Sequence, residues 1–363
     1  MTTLSLVIPC YNEENTLRNI VERVLKLQSD DLQLEIIIVD DCSKDNSFQE
    51  AQKLQQEYPQ IKLFQHEQNL GKGRALRTGF INATGDYVGI QDADMEYNPE
   101  DYLVMLKPLL EGKADVVYGS RYLRPYTRRV LYYWHTWMNK TLTMFSNMFT
   151  NLDITDMETC YKLFRRDVIQ EIAPKLQENR FGFEPEVTAY VARGNYRVYE
   201  CAIEYQPRTV EEGKKINWKD GVRALYCIFH YSASFAPIPM QLILYFFIGG
   251  FSAVANICAF VIFLNMQMPI TMAIILSFIL SATVNYLLCI AILFRHKARW
   301  SFWGEILFYI FTLLIMGVFD FGCTWLLCAL YVSPVWSKAW AAILGFFGNY
   351  ILRKYLVFPE RKK

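Results

Sequence analysis

The stretch Gly85-Asp86-Tyr87-Val88-Gly89-Ile90-Gln91-Asp92-Ala93-Asp94 decides the fold. In it a short apolar strand ends in two carboxylates separated by one small residue. Neither acid belongs inside a buried strand without a partner, because desolvating an isolated carboxylate is costly. At a strand end the two side chains point to one side, since side chains alternate with period two. Two hard oxygen ligands on one face suit Mg2+ or Mn2+, and such a metal in turn suits a diphosphate. Asp-x-Asp alone is short enough to arise by chance, so its surroundings carry the inference.

Outward from this stretch, strand and helix patterns alternate. Leu4–Ile8 reads as a strand before a helical pattern over Glu13–Leu27, and Glu35–Val39 as a second strand, stopped by Asp40-Asp41 before a helix from about Asp45. Ile61–Phe64 leads to Asn69-Leu70-Gly71-Lys72-Gly73 and a helix through Phe80, while Ala114–Tyr118 follows a helix from Glu100. Repeated units of this kind predict an α/β domain with a mostly parallel, Rossmann-like sheet and helices on both faces. Ligands of such sheets bind beyond the carboxyl ends of the strands. Pro9-Cys10-Tyr11-Asn12-Glu13, Asp40-Asp41 and Asp92-Ala93-Asp94 all fall at those ends.

The chain has 363 residues and a net charge of only +1, which gives no electrostatic case for a nucleic-acid partner. That average hides a division. Up to about Ser234 the sequence is mixed and charged. From Pro237 to Phe358 it is almost uncharged outside Arg295 to Glu305, with apolar runs long enough to span a bilayer. The expected domains are therefore 1–235 and 236–363. No basic start with a long apolar core is present, so no signal peptide is expected. Nine cysteines, scattered singly, show no metal or disulfide spacing and fit a reduced cytosolic domain plus membrane helices.

Four motifs carry a resemblance to glycosyltransferase family 2, with its GT-A fold. They are Ile8-Pro9-Cys10-Tyr11-Asn12-Glu13, Val39-Asp40-Asp41-Cys42-Ser43-Lys44-Asp45, Asn69-Leu70-Gly71-Lys72-Gly73 and Asp92-Ala93-Asp94. Gly119-Ser120-Arg121, Asp156 to Lys162, Phe181 to Glu186, Pro207-Arg208, Glu212-Gly213-Lys214 and Ile216 to Gly221 narrow it. Together these resemble the polyprenyl-phosphate glycosyltransferases of that family, over the first two-thirds of the chain.

The resemblance implies that Pro9, Tyr11, Glu13, Val39 and Asp41 hold the nucleoside, with Asp41 on the base. It implies that Asp92, Ala93 and Asp94 meet the diphosphate, and that Glu96 joins Asp92 and Asp94 at a Mg2+ or Mn2+ ion. Arg121, Arg208 and Lys214 are placed by it near donor and acceptor phosphates, where Arg suits bidentate contact. Arg124 and Arg128, with Arg129, are further candidates for lipid phosphate. Asp156 looks like the family's acid near the reacting centre, orienting the acceptor or a basic neighbour. The acceptor needs no strong base, because a lipid monophosphate has its second pKa near ~6. A single in-line displacement would invert the anomeric configuration.

A lipid acceptor needs an approach from the membrane. Leu131, Trp134, Met138, Leu142, Phe145 and Phe149 recur at helical spacing, with His135, Asn139, Lys140, Thr143 and Asn147 opposite. Trp218, Val222, Leu225 and Phe229 repeat the pattern. Both segments, about 126–150 and 217–234, read as interfacial helices. Four spans fit the last third: about Met240–Leu264, Ile270–Phe294, Ile306–Tyr331 and Val335–Phe358. Basic Arg295 to Arg299 and the tail Arg361 to Lys363 put the catalytic domain, middle loop and both termini in the cytosol. The expected location is a prokaryotic plasma membrane.

These spans contain a repeat with an offset of 64. Asn285-Tyr286-Leu287-Leu288, ending in Leu293-Phe294, matches Asn349-Tyr350-Ile351-Leu352, ending in Val357-Phe358, and Asn256 maps onto Asp320. The segment resembles the GtrA-like membrane family. Asn256, Asn285, Asp320 and Asn349 are expected to form a mid-membrane polar cluster. The whole reads as an enzyme moving a hexose, mannose or glucose, from GDP-mannose or UDP-glucose to dolichyl or undecaprenyl phosphate. A homo-oligomer is left open. Rival readings are a processive polysaccharide synthase, for which Arg299-Trp300 lacks the preceding Gln, and a lipid-sugar transporter with an accessory soluble domain.

Overall fold

The computed structural model describes residues 1–123, 129–207, 218–294 and 300–359, with their side chains except at 302, 334, 335, 338, 339 and 342. They form two compact units, Met1–Phe235 and Ala236–Lys363.

The first unit follows the order β1 Thr2–Cys10, α1 Leu17–Leu25, β2 Leu32–Asp40, α2 Ser47–Glu57, β3 Ile61–Gln65, α3 Lys72–Asn82 and β4 Tyr87–Ile90. It continues through α4 Asp101–Leu110, β5 Val116–Ser120, α5 Tyr133–Thr150, β6 Lys162–Arg165, α6 Arg166–Ile172, α7 Phe183–Arg193, β7 Val198–Ala202 and α8 Trp218–Ser232. The strands make one seven-stranded sheet in the order β3-β2-β1-β4-β6-β5-β7. β1 and β2 are near-continuous apolar runs, as central parallel strands covered on both faces must be. The expected five strands are all present. β6 and β7 are additional, and β6 runs antiparallel to both β4 and β5.

That inversion positions the site. β1, β2, β3, β4, β5 and β7 run the same way, so their carboxyl ends share an edge. Antiparallel β6 brings residues 156–161 to that same edge from its amino end.

Helix α1 begins at Leu17 rather than Glu13, because residues after β1 and after β2 hold one another. Asn12 N donates to Ser43 Oγ (3.1 Å), Lys44 N to Asn12 Oδ1 (2.8 Å) and Glu13 N to Ser47 Oγ (2.7 Å). Asn12 and Cys42 take left-handed conformations, φ +54° and +60°, at the corresponding places after the two strands. Asn accepts this at little cost; for Cys it is unusual.

Buried Glu35 of β2 ties the other end of the sheet. It accepts from Ser5 Oγ, from Lys62 Nζ (2.5 Å), and from Thr84 N (2.8 Å) and Oγ1 (2.6 Å). Burial would raise its pKa, but these donors outweigh it and bring it down to about 2.

Helices α5 and α8 form as expected and pack through Phe149 and Phe229, whose rings meet edge-on at 5.0 Å. The faces differ from expectation. Leu142 and Phe149 turn into the protein together with Thr143, Ser146 and Thr150. The exposed stripe keeps the expected Trp134 and Met138 but is completed by Tyr133, Trp137, Met144 and Met148; on α8 the expected Trp218 and Val222 are exposed together with Tyr226. Small hydroxyl side chains give α5 a second dockable face, so the aromatics are left outward.

The second unit contains α9 Ile238–Asn265, α10 Ile270–Leu288, α11 Phe302–Ala329 and α12 Pro334–Leu352. Among the described residues, Ile238–Asn265, Ile270–Phe294 and Trp303–Ala329 are long and apolar enough to cross a membrane. α9 packs on α10 and α11 on α12, giving two hairpins. The 64-residue repeat appears as geometry. α10 and α12 each run on into π-helical turns, Cys289–Phe294 and Arg353–Val357. Tyr286 OH donates to Glu305 Oε2 (3.1 Å) and its counterpart Tyr350 OH to Gln241 Oε1 (2.5 Å). Phe294 and Phe358, also 64 apart, stack on each other at 5.0 Å.

Candidate active site

At the edge defined above, the end of β1 supplies half-buried Pro9, Tyr11 and Glu13. Glu13 Oε2 accepts from Thr16 Oγ1 at 2.8 Å. Val39 faces Pro9 across the β1–β2 register and is wholly buried, so its side chain offers no surface to a nucleoside. Asp41 is likewise enclosed, and both its oxygens are engaged. Oδ1 accepts from Leu70 N (2.9 Å) and lies 2.7 Å from His66 Nδ1, while Oδ2 accepts from Gly71 N (2.6 Å). The residue expected on the base thus fixes the 69–71 loop. Gly71, at φ +96°, must be glycine twice over, because a Cβ there would also run into the Asn179 carbonyl.

The loop leads to Lys72, which the motif reading had left without a role. Its ammonium lies 2.9 Å from Asp92 Oδ1 and 3.4 Å from Glu184 Oε1. Burial alone would lower its pKa, yet Asp92, Cys160 and Glu184 hold it well above the ordinary lysine value. Lys72 therefore stays charged between two carboxylates. Burial, with Asp92 beside it, pushes the Cys160 thiol well up, which makes it a structural neighbour rather than a nucleophile. Glu184 Oε2 and Glu158 Oε1 are buried without a hydrogen-bond partner. Burial and the charge of Glu184 push the Glu158 carboxyl up, against the pull of the nearby Lys162 and Arg121.

Asp94 Oδ1 accepts from Glu96 N at 3.1 Å, across the tight turn that follows β4. Glu96 itself turns to Tyr205, whose hydroxyl donates to Oε2 at 2.9 Å. Among the described residues no three His, Cys, Asp or Glu side chains stand together as a metal-binding group. Asp92, Asp94 and Glu96 therefore do not form a ready three-carboxylate cage: Lys72 takes one oxygen of Asp92 and Tyr205 takes one of Glu96.

Arg121, just past β5, meets Asp156 from the loop before β6. Nε and Nη2 donate to the two carboxylate oxygens at 2.7 and 2.8 Å, and Arg121 N adds a third bond at 3.0 Å. Asp156 is fully buried and the guanidinium lies 5.1 Å from the Tyr205 ring centre. The expected link between Asp156 and a basic neighbour is present, but it occupies the fork of Arg121. Arg124, Arg128, Arg208 and Lys214 lie outside the described residues; Arg129 Nη1 donates to Pro207 O at 3.4 Å.

In the second unit the contacts centre on Asn285. Its Nδ2 donates to Ser252 Oγ (3.1 Å), and its Oδ1 accepts from Arg353. Asn349 keeps a buried oxygen without a hydrogen-bond partner. Asn256 is half-buried on α9, and Asp320 on α11 accepts at its carbonyl from Thr324 Oγ1 (2.7 Å).

Residues 5–173 match the family described as Glycosyl transferase family 2, and residues 244–358 match GtrA/DPMS, transmembrane domain. A dolichol-phosphate mannosyltransferase of Pyrococcus furiosus is 25% identical over 368 residues, covering 97% of this chain and 98% of that one. The dolichyl-phosphate beta-glucosyltransferase ALG5D of Trichomonas vaginalis is 27% identical over 216 residues, 56% of this chain and 65% of that one. Among solved structures, glucosyl-3-phosphoglycerate synthase from Mycobacterium tuberculosis is similar with a TM-score of 0.49 at 15% identity, over 64% of this chain and 80% of that chain. The chain is thus a glycosyltransferase, built from a family 2 catalytic domain joined to a GtrA/DPMS transmembrane domain.

Proposed function

We propose that this enzyme transfers a hexose, mannose or glucose, from GDP-mannose or UDP-glucose to a dolichyl or undecaprenyl phosphate. The cytosolic membrane face is the expected place, and inversion at the anomeric carbon the expected outcome. The observation that carries the reading is an acidic strand edge joined, in one chain, to a membrane-spanning unit. The dolichol-phosphate mannosyltransferase of Pyrococcus furiosus aligns with this chain across both of its units, over 97% of this chain and 98% of that one.

The acceptor oxygen belongs to a phosphomonoester that is largely dianionic at neutral pH, so it attacks without a strong base. The new C1–O bond forms as the bond from C1 to the nucleoside diphosphate breaks, and the electron pair leaves with the diphosphate. The enzyme's task is then to hold two anionic groups at one carbon. Asp92 and Asp94 suit Mg2+ or Mn2+, since such ions are bound by one or two carboxylates with substrate phosphates completing the shell. Bound there, the ion would neutralise the departing diphosphate. Lys72 holds Asp92 in place through their 2.9 Å ion pair before donor arrives. Arg121, fixed by Asp156, presents a rigid positive surface, and Arg208 and Lys214 are the further cations for the phosphates. Asp41 shapes the nucleoside side through the 69–71 loop; a direct base contact would require one of its oxygens to leave a loop amide. The outward aromatics of α5 and α8 suit the membrane interface where the lipid enters.

Purified protein, incubated with labelled GDP-mannose, UDP-glucose and related donors plus a polyprenyl phosphate, should form one lipid-linked hexose from one preferred donor. A polymer would point to processive synthesis, and lipid movement without transfer to a transporter; either result refutes the proposal.

A further inference from the structure

Between α6 and α7, residues 176–180 are bonded on two sides, to the amino end of α3 and to α8. Toward α3, Asn179 O accepts from Arg74 N (3.2 Å), and Arg77 donates to Leu176 O and, at 3.3 Å, to Asn179 Oδ1. Gly71 and Gly73 press against the same backbone: a Cβ at Gly71 would run into Asn179 O, and one at Gly73 into Glu178 O. These two glycines flank Lys72, whose ammonium lies on Asp92. The turn before α3 is therefore moulded on residues 178–180.

Toward α8 the segment presents Glu178, a buried residue to which the sequence motifs give no role. Arg223 Nε donates to its Oε2 (3.1 Å) and Arg223 Nη2 to its Oε1 (2.7 Å), and Tyr231 OH adds a bond to Oε1 (3.1 Å). Arg223 and Tyr231 both belong to α8. The backbone is fixed as well: Gln177 N and Glu178 N donate to the two carboxylate oxygens of Glu186, in the first turn of α7, at 2.7 and 2.8 Å. A two-pronged arginine–carboxylate contact sets direction as well as distance. α8 thus bears on residues 176–180, these on the Gly71–Gly73 turn, and that turn on Asp41 and Lys72.

We infer that Glu178 is a positioning residue for the donor half of the reaction. Through Arg223 and Tyr231 it fixes α8 against the segment that backs the Gly71–Gly73 turn, and so holds Lys72 and Asp92 in register. The inference rests on the proposed transfer from a nucleotide sugar and names what keeps its diphosphate side in place from outside the site. So remote a pair matters because a shift of about 1 Å at the reacting groups costs about 100-fold in rate.

The test uses the full chain in detergent with a polyprenyl phosphate and GDP-mannose or UDP-glucose, whichever the parent prefers. Arg223→Ala should raise the donor KM about tenfold and leave the acceptor KM unchanged. Arg223→Lys keeps the charge but not the fork, and its donor KM should fall between the two. Hydrogen exchange supplies a readout independent of turnover: amides of residues 69–74 should exchange faster in Arg223→Ala, and those of β2 at the parent's rate. Arg197 is the control. It forks Asp115 at 2.9 and 2.8 Å just before β5, at the opposite edge of the sheet, and its side chain is exposed as much as that of Arg223, 54% against 53%. Arg197→Ala removes the same kind of contact and should leave both the donor KM and the exchange of 69–74 as in the parent. An unchanged donor KM in Arg223→Ala, unchanged exchange at 69–74, or an equal rise of donor KM in Arg197→Ala would overturn the inference while the proposed reaction stands. Absence of hexose transfer by the parent from any nucleotide sugar defeats that reaction, and the exchange of 69–74 then decides the coupling by itself.

Discussion

Each unit buries an arginine, and the two are neutralised differently. Arg121 is clamped by a fully buried carboxylate through three bonds from one residue. Arg353 lies among an amide, a thiol and a phenol, with its guanidinium carbon 4.9 and 5.5 Å from the ring centres of Tyr309 and Tyr245. The first arrangement is closed: its charge is matched before substrate arrives, and it can act as a fixed wall of the site. The second is open, because dipoles and ring faces offset a cation only partly. A closed pair suits positioning and an open cation suits capture.

The largest expected effect is on the closed pair. Arg121→Met strands Asp156 in the interior and should cost about 3–5 kcal/mol of stability in a thermal or denaturant melt of the full chain. A cost under about 1 kcal/mol would mean that the pair is not closed as described. Next is Lys72→Met, which removes the ammonium between Asp92 and Glu184. Transfer should fall about 100-fold, on the order of 3 kcal/mol in the barrier, with the fold retained; near-normal turnover would exclude Lys72 from the site.

Glu35 extends the comparison to pH. Its pKa is lowered from 4.5 to about 2, so its donors stabilise the fold fully above the unfolded value, and this is lost as pH falls from about 4.5 towards 2. Glu35→Gln should lower stability by about 2 kcal/mol at pH 7 and flatten that acid limb. An acid limb as steep as the parent's would place the titration elsewhere. The smallest effect concerns the open arginine. Arg353→Met leaves only neutral groups behind and should cost about 1 kcal/mol. If it costs as much as Arg121→Met, the contrast between the units fails.

Much of this was legible in the sequence because it depends on local periodicity. Tyr87–Ile90 is read with its exact bounds, and the other four expected strands overlap those observed. β6 escaped because four residues beginning with a lysine carry no strand signal, although that lysine is wholly buried by donating to the Met157 and Thr159 carbonyls. Without β6, the arrival of Asp156 and Cys160 at the site edge could not be foreseen. The duties of Asp41 and Lys72 depend on partners 20 to 112 residues away along the chain, beyond any local pattern. The motifs identified these positions; tertiary contacts assign their neighbours. Likewise α5 has two apolar faces, and periodicity alone does not choose which one docks.

The central claim is that the β4 carboxylates serve sugar transfer to a lipid phosphate. The most direct measurement is mass spectrometry of the lipid product made by the parent protein and by Asp94→Ala, side by side, in detergent with the preferred donor, polyprenyl phosphate and a divalent ion. One hexose on each polyprenyl phosphate from the parent, and at least roughly a 1,000-fold loss from a folded Asp94→Ala variant, is the predicted result. Comparable product from both proteins, or a product carrying no lipid phosphate, would contradict it.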